Sequence, residues 1–358
     1  MSSVAEHYDR QAREKQSDRD ASRILKMRKF NNWTKSVLLG TFLRWPGAHV
    51  LDIAAGKGGD LSKFERAKVA SWTAVDISPA SIAEAARRYS TPRGGRRTFA
   101  ARFLVADCTS TPLWSDDATA AMAATAEAGR EEGQAGPGAY ASYPPDDARL
   151  TFDLVSCQFA LHYAFITEEA ARMFLANVTE RMEEGAYFVG SIVDARVLKE
   201  RLVASSSKTG FGNEIYSVKP TPDTAAALIA GTVPPFGAEY HFWLDGVVDC
   251  AEYVLDFDVL IALCEEFGLQ LAFTAGLLEF YEDHKGEKKF KPLLHKFGLQ
   301  HPRSDTLLLS PEEIEALSLY MVFGFQKPGL LKLELPPTTP IPYGPYPQSA
   351  IHNFSSSA

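Results

Sequence analysis

The sequence predicts an α/β fold: a seven-stranded, mostly parallel sheet with helices on both faces. Three observations carry this expectation. The apolar run at 50–53 leads into Gly56-Lys57-Gly58-Gly59 and then into helical spacing. A parallel sheet presents a nucleotide-like ligand in this way, at the carboxyl end of its first strand. Short apolar runs and amphipathic segments then alternate along the chain, as β–α units require. The alternation closes with apolar runs at 269–280 and 319–325, which read as a final hairpin that reverses the last strand.

The elements follow in order. Residues 1–20 are polar and charge-mixed and read as a flexible segment. From residue 21, Ile24, Leu25, Met27, Phe30, Trp33, Val37, Leu38 and Phe42 recur at steps that suit an amphipathic helix, or two broken near Asn31-Asn32. Pro46-Gly47 stops it. Strand one spans 50–53, a helix 58–68, and strand two 71–77 with Asp76 near its end. Pro79 opens a helix over 81–89 that carries Arg87-Arg88. Strand three, 102–106, delivers Asp107-Cys108. Ala, Gly, Asp and Pro dominate 110–149, which reads as a low-complexity surface insertion. Strand four spans 151–157, a helix 168–182 is capped by Gly185, and strand five spans 187–193. An aromatic and acidic insertion at 196–250 then interrupts the alternation, as a lid or substrate floor would. A helix at 253–267, a strand at 269–280, a charged connection at 282–291, a helix at 311–317 and a strand at 319–325 complete the unit. The domain therefore spans 21–327, and the Pro-, Ser- and Thr-rich tail at 328–358 reads as disordered.

Composition narrows the functions open to this chain. With 358 residues, 46% hydrophobic and 23% charged, it can bury a sizeable core. No apolar run approaches the ~18 residues of a membrane span, and no charged-then-apolar leader opens the chain. The four cysteines, Cys108, Cys157, Cys250 and Cys264, lack metal-ligand spacing and read as buried thiols of a reducing compartment. No metal site is expected. A net charge of −8 argues against a surface that wraps nucleic acid, DNA included, but allows a local basic pocket for a few phosphates.

The glycine-rich turn discriminates between cofactors. A dinucleotide fingerprint needs G-x-G-x-x-G so that the pyrophosphate can approach a helix N-terminus. Here Ala54-Ala55-Gly56-Lys57-Gly58-Gly59 lacks the first glycine and places a lysine in the middle. S-adenosylmethionine has no phosphate: Asp52 suits its ammonium, Gly56 a close backbone approach, and Asp76 its ribose hydroxyls. Seven strands with the last antiparallel is also the class I methyltransferase arrangement, in which an acid after strand three, here Asp107, faces the adenine edge.

The chain resembles the eukaryotic mRNA cap guanine-N7 methyltransferases over residues 4–327. Matching segments are Val-Ala-Glu-His-Tyr (4–8), Phe-Asn-Asn-Trp-Thr-Lys (30–35), Gly-Lys-Gly-Gly-Asp-Leu (56–61), Ser-Cys-Gln-Phe-Ala-Leu-His-Tyr (156–163) and Phe-Gly-Asn-Glu-Ile-Tyr (211–216). Further on come the run from Phe242 to Tyr253, Glu-Phe-Tyr-Glu (279–282) and Leu-Tyr-Met-Val-Phe-Gly-Phe (319–325). Their order and spacing are specific. The resemblance implies that Lys35, Gly56, Asp76, Asp107, Gln158 and Tyr163 contact S-adenosylmethionine. It implies that Asn31, Asn32, Gly59, Arg88, His162, Glu252 and Tyr320 line a pocket for the 5′ GpppN cap of mRNA. It also implies nuclear work beside the transcription and capping machinery.

Three departures from the family pattern stand out. Ala54-Ala55 replaces Gly-Cys, Glu65 (with Arg66 adjacent) stands where a basic residue is expected, and Val193-Asp194 replaces Pro-Asn. The implied chemistry needs no catalytic dyad. Guanine N7 presents an unprotonated lone pair to an electrophilic methyl group, so no general base or metal is required and positioning and electrostatics do the work. A same-fold methyltransferase of a small molecule, or a non-catalytic cap-binding protein, are the competing readings.

Overall fold

A computed structural model describes residues 22–43, 45–91, 99–115, 151–301 and 303–329. The expected flexible segment at 1–20, most of the 110–149 insertion and nearly all of the 328–358 tail lie outside the described residues. In chain order the first elements are α1 (Leu25–Phe42), β1 (His49–Ile53), α2 (Leu61–Ala67), β2 (Ser71–Asp76), α3 (Pro79–Ser90), β3 (Ala100–Val105), β4 (Phe152–Gln158), a 3-10 turn (Leu161–Ile166), α4 (Glu168–Thr179) and β5 (Met182–Val193). Next come α5 (Ala195–Ala204), β6 (Phe211–Gly212), β7 (Tyr216–Pro220), α6 (Pro222–Ala230), β8 (Glu239–Leu244) and β9 (Val248–Tyr253). The chain continues through α7 (Phe257–Glu266), β10 (Gln270–Gly276), α8 (Leu277–His284), α9 (Lys291–Lys296), α10 (Pro311–Leu317) and β11 (Tyr320–Gln326).

Seven strands form one sheet in the order β10-β11-β5-β4-β1-β2-β3. The pairs from β3 to β5 are parallel, and β11 runs antiparallel to both its neighbours. The expected sheet, with its last strand reversed, is therefore present. Its strands alternate their side chains between two buried clusters. Val50, Ala74, Leu154, Val189 and Val322 meet α1, α2 and α3 on one face. Leu51, Val75, Val155, Phe188 and Phe323 meet α4 and α7 on the other. Helices thus cover both faces, as a parallel sheet needs.

Strands β6, β7, β8 and β9 form a second, antiparallel sheet. It accounts for the aromatic stretch after strand five: Tyr240, Phe242 and Leu244 point into the core, while Glu239 and His241 are exposed.

The structure corrects several element boundaries. Asn31-Asn32 does not break the first helix: α1 runs unbroken for 18 residues. Tertiary contacts override the weak helix propensity of the pair. Phe30 and Trp33 pack their rings 5.4 and 5.3 Å from Tyr281, and Trp33 Nε1 donates to the Phe290 carbonyl. The helix expected at 58–68 begins only at Leu61. Gly185 does not cap α4, which ends at Thr179; it sits at φ +80° within β5, where the register to β4 shifts. Tyr253 belongs to β9 rather than to the following helix. The apolar run at 269–280 is half strand and half helix, because Gly276 starts α8 and Glu279 returns to accept from the Gly276 N–H. The expected charged connection accordingly begins inside α8.

One close approach explains a glycine in mid-strand. A Cβ at Gly190 would lie 2.4 Å from the Cys157 carbonyl oxygen and 2.5 Å from the Phe323 ring. Both neighbours belong to adjacent strands of the central sheet. Overpacking of this kind costs about 1–3 kcal/mol, and backbone as the obstacle places the cost at the upper end. Gly190→Ala is expected to lower the free energy of unfolding in urea by about 3 kcal/mol. A loss below about 1 kcal/mol would show that the sheet spreads freely here.

Candidate active site

At the carboxyl ends of β1, β2, β3 and β4 the chain encloses a cavity of about 300 Å³. Its wall includes Gly56, Asp76, Ile77, Ala106, Asp107, Gln158 and Phe174. Asn31, Phe159, His162, Tyr163, Glu252 and Tyr320 belong to the same wall, and the β8–β9 hairpin adds Leu244, Val247 and Val248. Segments that are more than 200 residues apart in the chain therefore converge on one space.

The turn after β1 is built for close approach. Ala54, Gly56 and Gly58 all have positive φ, at 56°, 53° and 68°. A Cβ at Gly58 would meet Trp72 at 3.0 Å, and a Cβ at Gly56 would meet nothing within 4 Å. Gly58 thus lets the turn pack on β2, and Gly56 leaves open space. The Ala54 departure takes on a physical meaning: an alanine occupies a left-handed position where glycine is free of strain, at a cost of roughly 1–2 kcal/mol. The Gly56 N–H donates to Asp76 Oδ2 at 2.8 Å and the Ser78 N–H to Asp76 Oδ1 at 2.9 Å. A carboxylate oxygen can accept more than one such bond. Asp107 is held by Thr109, whose N–H and hydroxyl both donate to Oδ1. Gln158 spans two strands, donating to Ser156 Oγ and accepting from Ser191 Oγ.

The other end of the cavity is organised by Glu252 on β9, which is 2% exposed. The Tyr240 hydroxyl donates to its Oε2 at 2.8 Å. Its Oε1 lies 3.3 Å from His162 Nε2 and, at long reach, 3.5 Å from the Tyr163 hydroxyl. Neither ring nitrogen of buried His162 has a hydrogen-bond partner among the described residues, and the same is true of Asn31 Oδ1. Orphaned polar atoms on a cavity wall are the mark of a site that receives polar groups from a ligand. Phe159 and Tyr320 stand edge-to-face with centroids 5.1 Å apart.

Five residues expected at the site lie off this wall. Asp52 is buried under the turn, 2% exposed, and accepts from Trp72 Nε1. Burial pushes its carboxyl up to about 8, with Asp60 adding and Lys35 opposing. Lys35 Nζ pairs with Asp60 Oδ2 at 3.0 Å, and Lys63 Nζ pairs with Asp60 Oδ1 at 2.8 Å while also donating to Asn32 Oδ1. Burial works to raise Asp60, but the two ammonium groups outweigh it and hold the acid well below the carboxylate range. Burial likewise lowers Lys63. Gly59 packs near Lys35 Nζ, and Arg88 donates to Glu84 on its own helix at 2.7 Å. Hydrogen bonds from Arg87 and then Arg88, opposed by burial, bring Glu84 down to about 2. Of the remaining departures, Asp194 caps α5 by accepting from the Arg196 N–H, and Val193 is a buried partner of Tyr320; Glu65 and Arg66 are both exposed.

Sequence reasoning placed Tyr240 and the hairpin tip at Leu244, Val247 and Val248 in the insertion expected to form a lid or substrate floor, but singled out none of them as a site residue. The tip lies inside the matching segment from Phe242, so its position was a usable signal.

The wall fits S-adenosylmethionine by its own chemistry. It joins two carboxylates at strand ends, a Gly56 backbone with open space above it, and apolar patches at Ile77, Ala106 and Phe174. Together with the sheet order, this defines a class I S-adenosylmethionine-dependent methyltransferase. Residues 1–328 match the model of the mRNA (guanine-N(7))-methyltransferase domain, and the chain belongs to that family. Among similar proteins are the mRNA cap guanine-N(7) methyltransferases 1 of Oryza sativa subsp. japonica and Arabidopsis thaliana, 34% and 33% identical. Each alignment spans 91% of this chain and 81% of the relative. The mRNA cap guanine-N(7) methyltransferase of Schizosaccharomyces pombe is 29% identical over 91% of this chain and 82% of its own.

Proposed function

We propose that this enzyme methylates N7 of the guanine in the 5′ GpppN cap of nascent mRNA, with donor and cap side by side in the one cavity. The observation that carries this reading is the sharing of a single wall by Asp76 and Glu252. In this division Gly56, Asp76, Asp107, Gln158 and Tyr163 hold the donor. Asn31, His162, Glu252 and Tyr320 hold the guanine. Asp52 and the Lys35–Asp60–Lys63 cluster support the turn from beneath, and Asn32, Gly59 and Arg88 lie off the cavity wall, with Arg88 paired to Glu84.

S-adenosylmethionine supplies the methyl group, on a positively charged sulfur. The protein's part is to bind and orient. Glu252 accepts from the N1–H and the exocyclic amine of guanine, the donor edge that a carboxylate reads well. Its negative charge also favours the base once positive charge has moved there. Phe159 and Tyr320 pack against base or ribose. No side chain has to remove a proton, because N7 carries none. The chemistry of a cap on nascent transcripts supports work in the nucleus beside the capping machinery.

A comparison of acceptors tests this. Methyl transfer to GpppN-ended RNA and to the free GpppN dinucleotide is expected, with none to uncapped RNA of the same sequence. Equal transfer to uncapped RNA would overturn the reading.

A further inference from the structure

The hydrogen bond from Tyr240 to Glu252 belongs to no role assigned so far. The two residues are direct cross-strand partners in the β8–β9 ladder. They are 1% and 2% exposed, and their 2.8 Å bond is the shortest that Glu252 makes. A carboxylate removed from water this completely needs a donor, and bonds to an ionised acceptor are about twice as strong as neutral ones. The other groups that face it do less. His162, from the 3-10 turn, stands at 3.3 Å without a hydrogen bond, and Tyr163 reaches Oε1 only at 3.5 Å. The Tyr163 hydroxyl is also 3.3 Å from Cys250 Sγ, so its one proton is contested. Burial and the neighbouring carboxylate push the Tyr240 phenol well above its ordinary value, which keeps it a donor. Tyr240 itself does not line the cavity wall.

We propose that Tyr240 is a positioning residue for cap recognition: it anchors Oε2 of Glu252, and the weakly engaged Oε1 is left to accept from the ligand. The proposal rests on the reading of Glu252 as the residue that grips guanine.

The test compares Tyr240→Phe, Glu252→Gln and the double variant in the full-length enzyme, reading KM for GpppN, kcat, and Kd for S-adenosylhomocysteine. Tyr240→Phe is expected to raise KM for GpppN about tenfold or more, with a smaller change in kcat and a donor-site Kd within about twofold. The double variant is expected to be no worse than Glu252→Gln alone, since the tyrosine acts through the acid. Unchanged KM in Glu252→Gln would remove the guanine reading itself. Raised KM in Glu252→Gln with unchanged KM in Tyr240→Phe would remove this proposal alone. If Tyr240→Phe fails to bind S-adenosylhomocysteine but the double variant binds it, the buried bond is still shown to couple the pair, because removing both partners relieves the orphaned charge. If neither binds it, the tyrosine's role is structural and the proposal falls.

Discussion

Glu252→Ala is expected to lower kcat/KM for GpppN by two to three orders of magnitude while Kd for S-adenosylhomocysteine stays within about threefold. Truncating one partner of a buried, hydrogen-bonded charged contact costs roughly 2–5 kcal/mol, and each 1.4 kcal/mol is a factor of ten. Glu252 is placed for that penalty: it is buried and on the cavity wall, with one oxygen anchored by Tyr240. The alanine variant also leaves the Tyr240 hydroxyl without an acceptor, so a modest fall in thermal stability accompanies the loss. Steady-state kinetics with GpppN, beside calorimetric titration with S-adenosylhomocysteine, checks both halves. Equal loss of cap turnover and donor binding would show that the site is not divided as proposed.

Asp76→Ala produces the opposite pattern. Its two oxygens hold the Gly56 and Ser78 N–H groups, and the same carboxylate lines the cavity. Hydrogen bonds to a charged group contribute about 1.5–3 kcal/mol each, so losing the turn's tether together with the ligand's acceptor weakens S-adenosylhomocysteine binding roughly a hundredfold or more. Asp76→Asn keeps one carbonyl acceptor and falls between wild type and alanine. Affinity for GpppN changes little in either variant. A donor Kd unchanged in Asp76→Ala would remove Asp76 from the donor site.

Much of the frame was readable in order. The alternation of runs, Pro79 at the start of α3 and the bounds of α10 are matters of short-range spacing and turn chemistry, and the structure agrees with them. The errors also have a common physical origin. Asn31-Asn32 reads as a helix break on propensity, but Tyr281 and Phe290, some 250 residues on, hold the neighbouring side chains. The run at 269–280 is mostly apolar, and periodicity alone cannot separate a buried strand from a buried helix. At the site, neither the resemblance that marked Lys35, Asn32, Gly59 and Arg88 as candidates nor the turn chemistry that marked Asp52 records the ion pairs and buried bonds that engage their neighbourhood. Lys35 is committed to Asp60 and Arg88 to Glu84.

By itself, then, the sequence determined the α/β class, the glycine turn after β1 and its acidic companion at the end of β2, because backbone conformation and side-chain period are local properties. Only the tertiary structure decided where the second sheet lies, that Ala54 occupies a left-handed turn position, and that Glu252 meets Tyr240, His162 and Tyr163 on the cavity wall. Those contacts join residues as many as 90 positions apart in the chain, and no local pattern records which buried donor will satisfy a given buried acid.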